Sequence, residues 1–390
     1  MSFTPADRLN QLPPYLFIEI DRKKREALEA GRDVIDFGVG DPDRPTPGFI
    51  VERMADAIRD PENHPYPLGA GSDAFRTAAA EFLAGRFGVE VDPSAEVLAL
   101  IGSKEGLAHL PLAVINPGET ALIPTPGYPV YEAATCFAGG VPHRMPLAAG
   151  HGFLPVLEDL PAAILDRTAL MFVNYPNNPT AATASLGFYE RCVALAKRHR
   201  FVICSDAAYT ELYFDDADRP HSILEVEGAK DVCVELHSLS KTFNMTGWRV
   251  AFAAGNAAVL RALAKIKGNV DSGVFGAIQQ TAVTALRGAE RPEIRAIREC
   301  YRARRDLLVP GLRKLGFEVE TPRATFYVWA RCPGGRDAMT CATKLLDEAA
   351  IVAIPGVGFG RAGEGYLRFA LTVDRPRIRE ALGRLTECAW

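Results

Sequence analysis

Short apolar runs alternate with helical patterns along much of the chain, and this alternation restricts the fold more than any other feature. The runs "EVLALIG", "TALIPTP", "ALMFVNYP", "FVICSDAAY" and "VCVELHS" have the length and apolar character of buried strands. Between them lie stretches such as "SDAFRTAAAEFLAGRFG" and "GFYERCVALAKRHR", whose apolar residues recur at helical spacing. Strand-helix repetition of this kind predicts an α/β fold with a mostly parallel sheet covered by helices. Each run ends in a polar or glycine-containing stretch: "GSKEG", "PGYPVY", "NYPNNPT", "SDAAY", "HSLSK". Ligands of open α/β sheets bind at the carboxyl ends of strands, so the chemistry is expected to gather there.

A chain of 390 residues is long enough for two domains. From about residue 290 a long charged helical pattern, "RPEIRAIRECYRARRDLLVPGLRKL", replaces the alternation, followed by "FEVETPRATFYVWARC", "DAMTCATKLLDEAAI" and a last strand-helix pair. We expect an N-terminal arm at 1–45, a large domain at 46–288 and a smaller α+β unit at 289–390, the arm packing with the last. A formal net charge of −4 leaves no basic footprint for nucleic acid. The N-terminus lacks a charged segment followed by an apolar one, and no run approaches the length of a membrane span. A cytoplasmic protein with small-molecule partners is expected. Eight scattered cysteines without a C-x-x-C motif or clustered histidines predict free thiols, with neither metal nor disulfides.

Taken singly, the polar stretches have ordinary readings beside functional ones. Ser103 in "GSKEG" is a plain helix cap or the opening of a phosphate site at a helix N-terminus. Asp206 caps the next element or holds a cation in a partly dry site; Tyr209 is a core aromatic and Asn178 a turn residue by default. "FGVGD" at 37–41 is no dinucleotide fingerprint, because Asp43 stands where the third glycine should be. In "ELHSLSKTFNMTGWRVAFAAGN", Lys241 lies between two strand-like runs, which argues against a solvated loop.

Together, "NYPNNPT", "SDAAY" and "SLSKTFNMTGWRV" resemble, in order, the motifs of the class I and II aminotransferases of pyridoxal phosphate (PLP) fold type I. The resemblance spans nearly the whole chain. It implies a seven-stranded-type sheet and a homodimer with shared sites. It also implies that Lys241 carries the cofactor, that Asp206 pairs with the pyridine nitrogen and that Asn178 and Tyr209 bond the phenolate oxygen. Tyr128 would stack on the ring; Ser238, Ser240, Arg249 and the backbone at Ser103 and Lys104 would hold the phosphate, joined by Tyr66 of the neighbouring subunit. Arg368 resembles the arginine that grips the substrate α-carboxylate, and Gly40 the glycine that lets substrate approach the backbone. The family usually reads N-P-T-G where Ala181 stands here, which leaves the local turn geometry open and does not touch the chemistry.

Within the family, "LPPYLFIEIDRKKREAL" and "IGSKEG" resemble the LL-diaminopimelate aminotransferase group. That likeness implies lysine biosynthesis, 2-oxoglutarate as acceptor, and Tyr15 and Lys104 at the far end of the substrate. Gly69 and Ala70 stand where the group is expected to place an acid, so the distal ammonium would need another acceptor, such as backbone carbonyls. Aspartate, alanine or succinyldiaminopimelate transamination, and another PLP chemistry such as a β-lyase, fit the same scaffold.

Overall fold

The computed structural model describes residues 4–10, 17–67 and 69–388. Its strands in chain order are β1 (Ile35–Asp36), β2 (Val97–Leu100), β3 (Thr120–Thr125), β4 (Val141–Pro146), β5 (Thr168–Val173), β6 (Val202–Asp206), β7 (Cys233–Ser238), β8 (Ala251–Gly255), β9 (Glu318–Val319), β10 (Tyr327–Arg331), β11 (Ile351–Val352), β12 (Ile354–Pro355) and β13 (Tyr366–Ala370).

Seven of them form the central sheet, in the order β2-β8-β7-β6-β5-β3-β4. All pairs are parallel except those of β8, which runs against both β2 and β7. The alternating side-chain direction of a strand sends neighbours to opposite faces. Leu170 and Phe172 of β5 therefore join one apolar cluster, with Leu107, Leu110, Tyr131 and Leu263 from the helices at 103–114, 130–137 and 257–270. Met171 and Val173 join the other, with Phe75, Leu83 and Phe188 from the helices at 73–87 and 186–199. Burial on both faces explains the continuous apolar runs in the sequence. All eight cysteines are free thiols, six of them buried.

A second, antiparallel sheet has the order β12-β13-β10-β9. The helices Pro292–Lys314, Ala338–Ala349 and Arg375–Thr386 accompany it. The N-terminal segment joins this part of the chain, because β1 pairs in parallel with β11. Asp33 beside it accepts from Arg377 Nη2 at 2.7 Å and Arg384 Nη2 at 2.6 Å, both exposed pairs that contribute little. Among the described residues no helix is long and apolar enough to cross a membrane.

Candidate active site

A cavity of about 780 Å³ opens where the carboxyl ends of the parallel strands meet the antiparallel sheet. Gly40, Ser103, Lys104, Tyr128, Asn178, Asp206, Tyr209, Ser238, Ser240, Lys241, Arg249 and Arg368 all line it. Tyr66 does not line it and is 79% exposed. Tyr15 lies outside the described residues.

Lys241 follows β7 and donates from Nζ to the Gly40 carbonyl at 2.9 Å. Burial lowers its ammonium to about 8; Asp41 works against that shift, while Arg249 and Arg368 add to it. Gly40 lacks a side chain for a local reason, since a Cβ there would collide with the Tyr327 hydroxyl. That hydroxyl lies 3.1 Å from the Tyr209 hydroxyl.

Asp206 ends β6 and is buried, precedes a turn rather than a helix, and accepts at Oδ2 from the Tyr131 hydroxyl at 2.8 Å. Its Oδ1 is buried and has no hydrogen-bond partner among the described residues. Burial raises the carboxyl to about 6, opposed by the Tyr131 hydrogen bond, the nearby Ala208 amide and His237. Asn174 Nδ2 donates to the Asp206 carbonyl at 2.8 Å, holding the strand end in place.

The helix Ser103–Val114 points its N-terminus at the cavity. Its cap is Gly102, not Ser103: Gly102 has φ 81°, and no side chain caps the first amides. A Cβ at Gly102 would collide with the Arg249 guanidinium, so this helix end and Arg249 share one small space. Free amides at a helix start together with a guanidinium make an anion site. Ser238 and Ser240 line the same region, the Ser238 hydroxyl accepting from the Ser240 amide at 3.2 Å.

Across the cavity, Arg368 of β13 donates to Asn178 Oδ1 and the Gly38 carbonyl, both at 2.9 Å. Its guanidinium sits 4.3 Å from the centre of the Tyr327 ring and 4.7 Å from that of Phe359. Its Nε is buried without a partner among the described residues. Lys104 is exposed, its Nζ 6.0 Å from the Tyr128 ring centre.

The family profile of aminotransferase class I and II matches residues 32–385. The chain belongs to the class I and II aminotransferases. This aminotransferase is 53% identical over 390 residues to the LL-diaminopimelate aminotransferase of Syntrophobacter fumaroxidans, covering 100% of both chains. It is 50% identical over 388 residues to the LL-diaminopimelate aminotransferase of Desulforudis audaxviator, covering 100% of this chain and 98% of that one. A solved structure from Thermus thermophilus, described as a probable N-succinyldiaminopimelate aminotransferase, is similar with a TM-score of 0.90 and 34% identity over 95% of this chain and 99% of its own.

Members of this family are PLP-dependent, and the cavity of the aminotransferase fits that cofactor. The buried, unpartnered oxygen of Asp206 suits a pyridinium N–H, the Gly102–Arg249 corner suits a phosphate, and Lys241 is kept partly neutral. Sequence reasoning missed Tyr131, Tyr327, Phe359 and Asn174. Tyr131 was within reach, since it closes the same "PGYPVY" stretch as Tyr128, three residues on and one helical turn away. Tyr327 and Phe359 come from remote strands and loops and carry no local signal. Ala181 adopts φ 60°, the left-handed conformation suited to glycine.

Proposed function

We propose that this aminotransferase moves an amino group from LL-diaminopimelate to 2-oxoglutarate. The observation that carries the proposal is full-length identity of 50% and above to two relatives of that name. In this reading Lys241 carries the cofactor and Asp206 faces its ring nitrogen. Asn178 and Tyr209 bond its phenolate oxygen, and Tyr128 lies on the ring. Ser238, Ser240, Arg249 and the amides at Ser103 and Lys104 hold the phosphate, and Tyr66 adds a hydroxyl to the other subunit's site. Their shared lining of one cavity supports these roles for all but Tyr66. The exposure of Tyr66 suits a residue that serves a second subunit.

When bound, PLP supplies an electron sink for the charge left at the substrate α-carbon. Arg368 takes the α-carboxylate through its planar fork, oriented by Asn178 and the Gly38 carbonyl. With its ammonium lowered to about 8, Lys241 Nζ is partly neutral at physiological pH and can remove the proton from substrate Cα. Asp206, ionised above about 6, keeps a negative charge opposite the ring nitrogen. Lys104 is assigned to the distal carboxylate; Tyr15, the other candidate for that end, lies outside the described residues. The reading includes the arm at 1–45, the large domain at 46–288 and the small one at 289–390, for which the β1–β11 pairing speaks, and a cytoplasmic homodimer.

The test is kcat/KM for LL-diaminopimelate, aspartate and alanine, each with 2-oxoglutarate. Distal contacts worth about 1.5 to 3 kcal/mol each should favour diaminopimelate by at least about 100-fold. Equal or better use of aspartate or alanine overturns the substrate and leaves the transamination standing.

A further inference from the structure

We propose that Tyr131 is a positioning residue for the reaction: its hydroxyl holds Asp206 as an oriented carboxylate and so keeps the proton on the ring nitrogen. This rests on the reading above, in which Asp206 faces that nitrogen.

The Tyr131 side chain has little freedom to do otherwise. It is 1% exposed, its ring is stacked on Phe172 with centroids 4.9 Å apart, and Tyr128 meets it edge-on at 6.0 Å. The Thr135 hydroxyl donates to the Tyr131 carbonyl at 2.7 Å, fixing that turn of the helix. From this anchored ring the hydroxyl reaches Asp206 Oδ2 at 2.8 Å. One carboxylate oxygen is thereby occupied, and Oδ1 is left as the buried atom without a partner in a residue that lines the cavity.

A buried carboxylate prefers to be neutral unless something stabilises its charge. Burial and the charge of Asp206 push the Tyr131 phenol well above its ordinary range, so it stays a donor across the working pH range. The other titratable groups facing Asp206 are Cys204 on its own strand, Tyr209 beyond the strand end and His237 on β7. The two thiol and phenol neighbours are themselves held protonated by burial, and so add no charge of their own at neutral pH. Lys104, Lys241, Arg249 and Arg368 line the same cavity as further positive groups. Removing the Tyr131 hydroxyl makes the carboxylate a stronger base, which draws the shared proton from the ring nitrogen toward Asp206.

The experiment uses holoenzyme loaded with PLP labelled with 15N in the ring, in the wild type, Tyr131→Phe and Asp206→Asn. Tyr131→Phe keeps the stacked ring and should move the 15N resonance toward that of unprotonated pyridine. It should also lower kcat by about tenfold to about a hundredfold, the value of a hydrogen bond to a charge, with KM within about twofold. A second variant with 3-fluorotyrosine at position 131 keeps the shape and donates more strongly, so its resonance should move the opposite way. If Asp206→Asn shifts the resonance while Tyr131→Phe leaves both resonance and kcat unchanged, Tyr131 is only a packing ring and the proposal falls. If Asp206→Asn itself has no effect, the placement of Asp206 against the ring is what fails.

Discussion

Burying Lys241 costs the fold free energy that the bound cofactor does not return in the cofactor-free protein. The folded chain sheds this proton at about 8, the unfolded chain near 10.5. Between those values the unfolded state holds more protons, so stability rises with pH through that window, and below about 8 the whole penalty is present. Lys241→Met removes the penalty and also the bond to Gly40, leaving a net gain on the order of 2 kcal/mol. The cofactor-free variant should therefore melt a few degrees above the wild type at pH 7, with the gap closing between pH 8 and pH 10.5. Equal melting curves at pH 7 would show that the ammonium is well solvated. That Lys241, Asp206, Arg249 and Arg368 would gather at one cavity was legible in the sequence, because their stretches resemble the family's motifs. Tyr131 and Tyr327 were not, because their roles lie in contacts made across elements, Tyr131 with Asp206 and Tyr327 with Tyr209 and Gly40.

At the scale of elements, the helix Ser103–Val114 is pinned at its first turn. Glu105 Oε2 accepts from the Ile101 amide at 3.0 Å and from Lys267 at 2.9 Å, and its Oε1 bonds His109 at 2.8 Å. Lys267, 3% exposed near the end of the helix Ala257–Val270, also bonds Asp271 at 3.1 Å. The place between Glu105, His109 and Asp271 where a metal could sit thus has an ammonium bound to both carboxylates. Lys267→Met leaves both carboxylates without their cation and loosens the turn that carries the Ser103 and Lys104 amides. The PLP dissociation constant, measured by equilibrium dialysis, should rise about tenfold or more, while kcat at saturating cofactor stays within about threefold. An unchanged dissociation constant would separate this ion triad from the phosphate corner. The buried strands were readable because both faces are apolar. Edge strand β4 was not, since only one of its residues is buried and it contains Pro142 and Pro146. The reversed direction of β8 was hidden too, because antiparallel and parallel neighbours look alike in a strand buried on both faces.

For the whole molecule, the exposure of Tyr66 bears on assembly. If Tyr66 serves the second subunit of a homodimer, as proposed, neither Lys241→Ala nor Tyr66→Ala alone should exceed a small fraction of the wild-type rate. In that arrangement each hybrid of the two would have one site with a native lysine and a native tyrosine. Mixing equal amounts under conditions of proven subunit exchange should restore up to about a quarter of wild-type activity. No recovery would mean that each site is complete within one subunit. The α/β class and the change of character near residue 290 were both legible, since each depends on hydrophobic periodicity over long stretches. Their mutual placement was not, because it is fixed by pairings such as β1 with β11, distant in sequence. Finally, β7 and β8 are antiparallel neighbours, and the Leu239 amide bonds the Val250 carbonyl at 3.3 Å where the connection between them begins and ends. Lys241 and Arg249 therefore ride on a single closed loop with a zipped base. In the proposed reading Lys241 carries the cofactor and Arg249 holds its phosphate, so any motion of this loop would carry both contacts in step. A ligand held at both points would then meet two contacts on one closed loop, with less ordering entropy to lose when it docks.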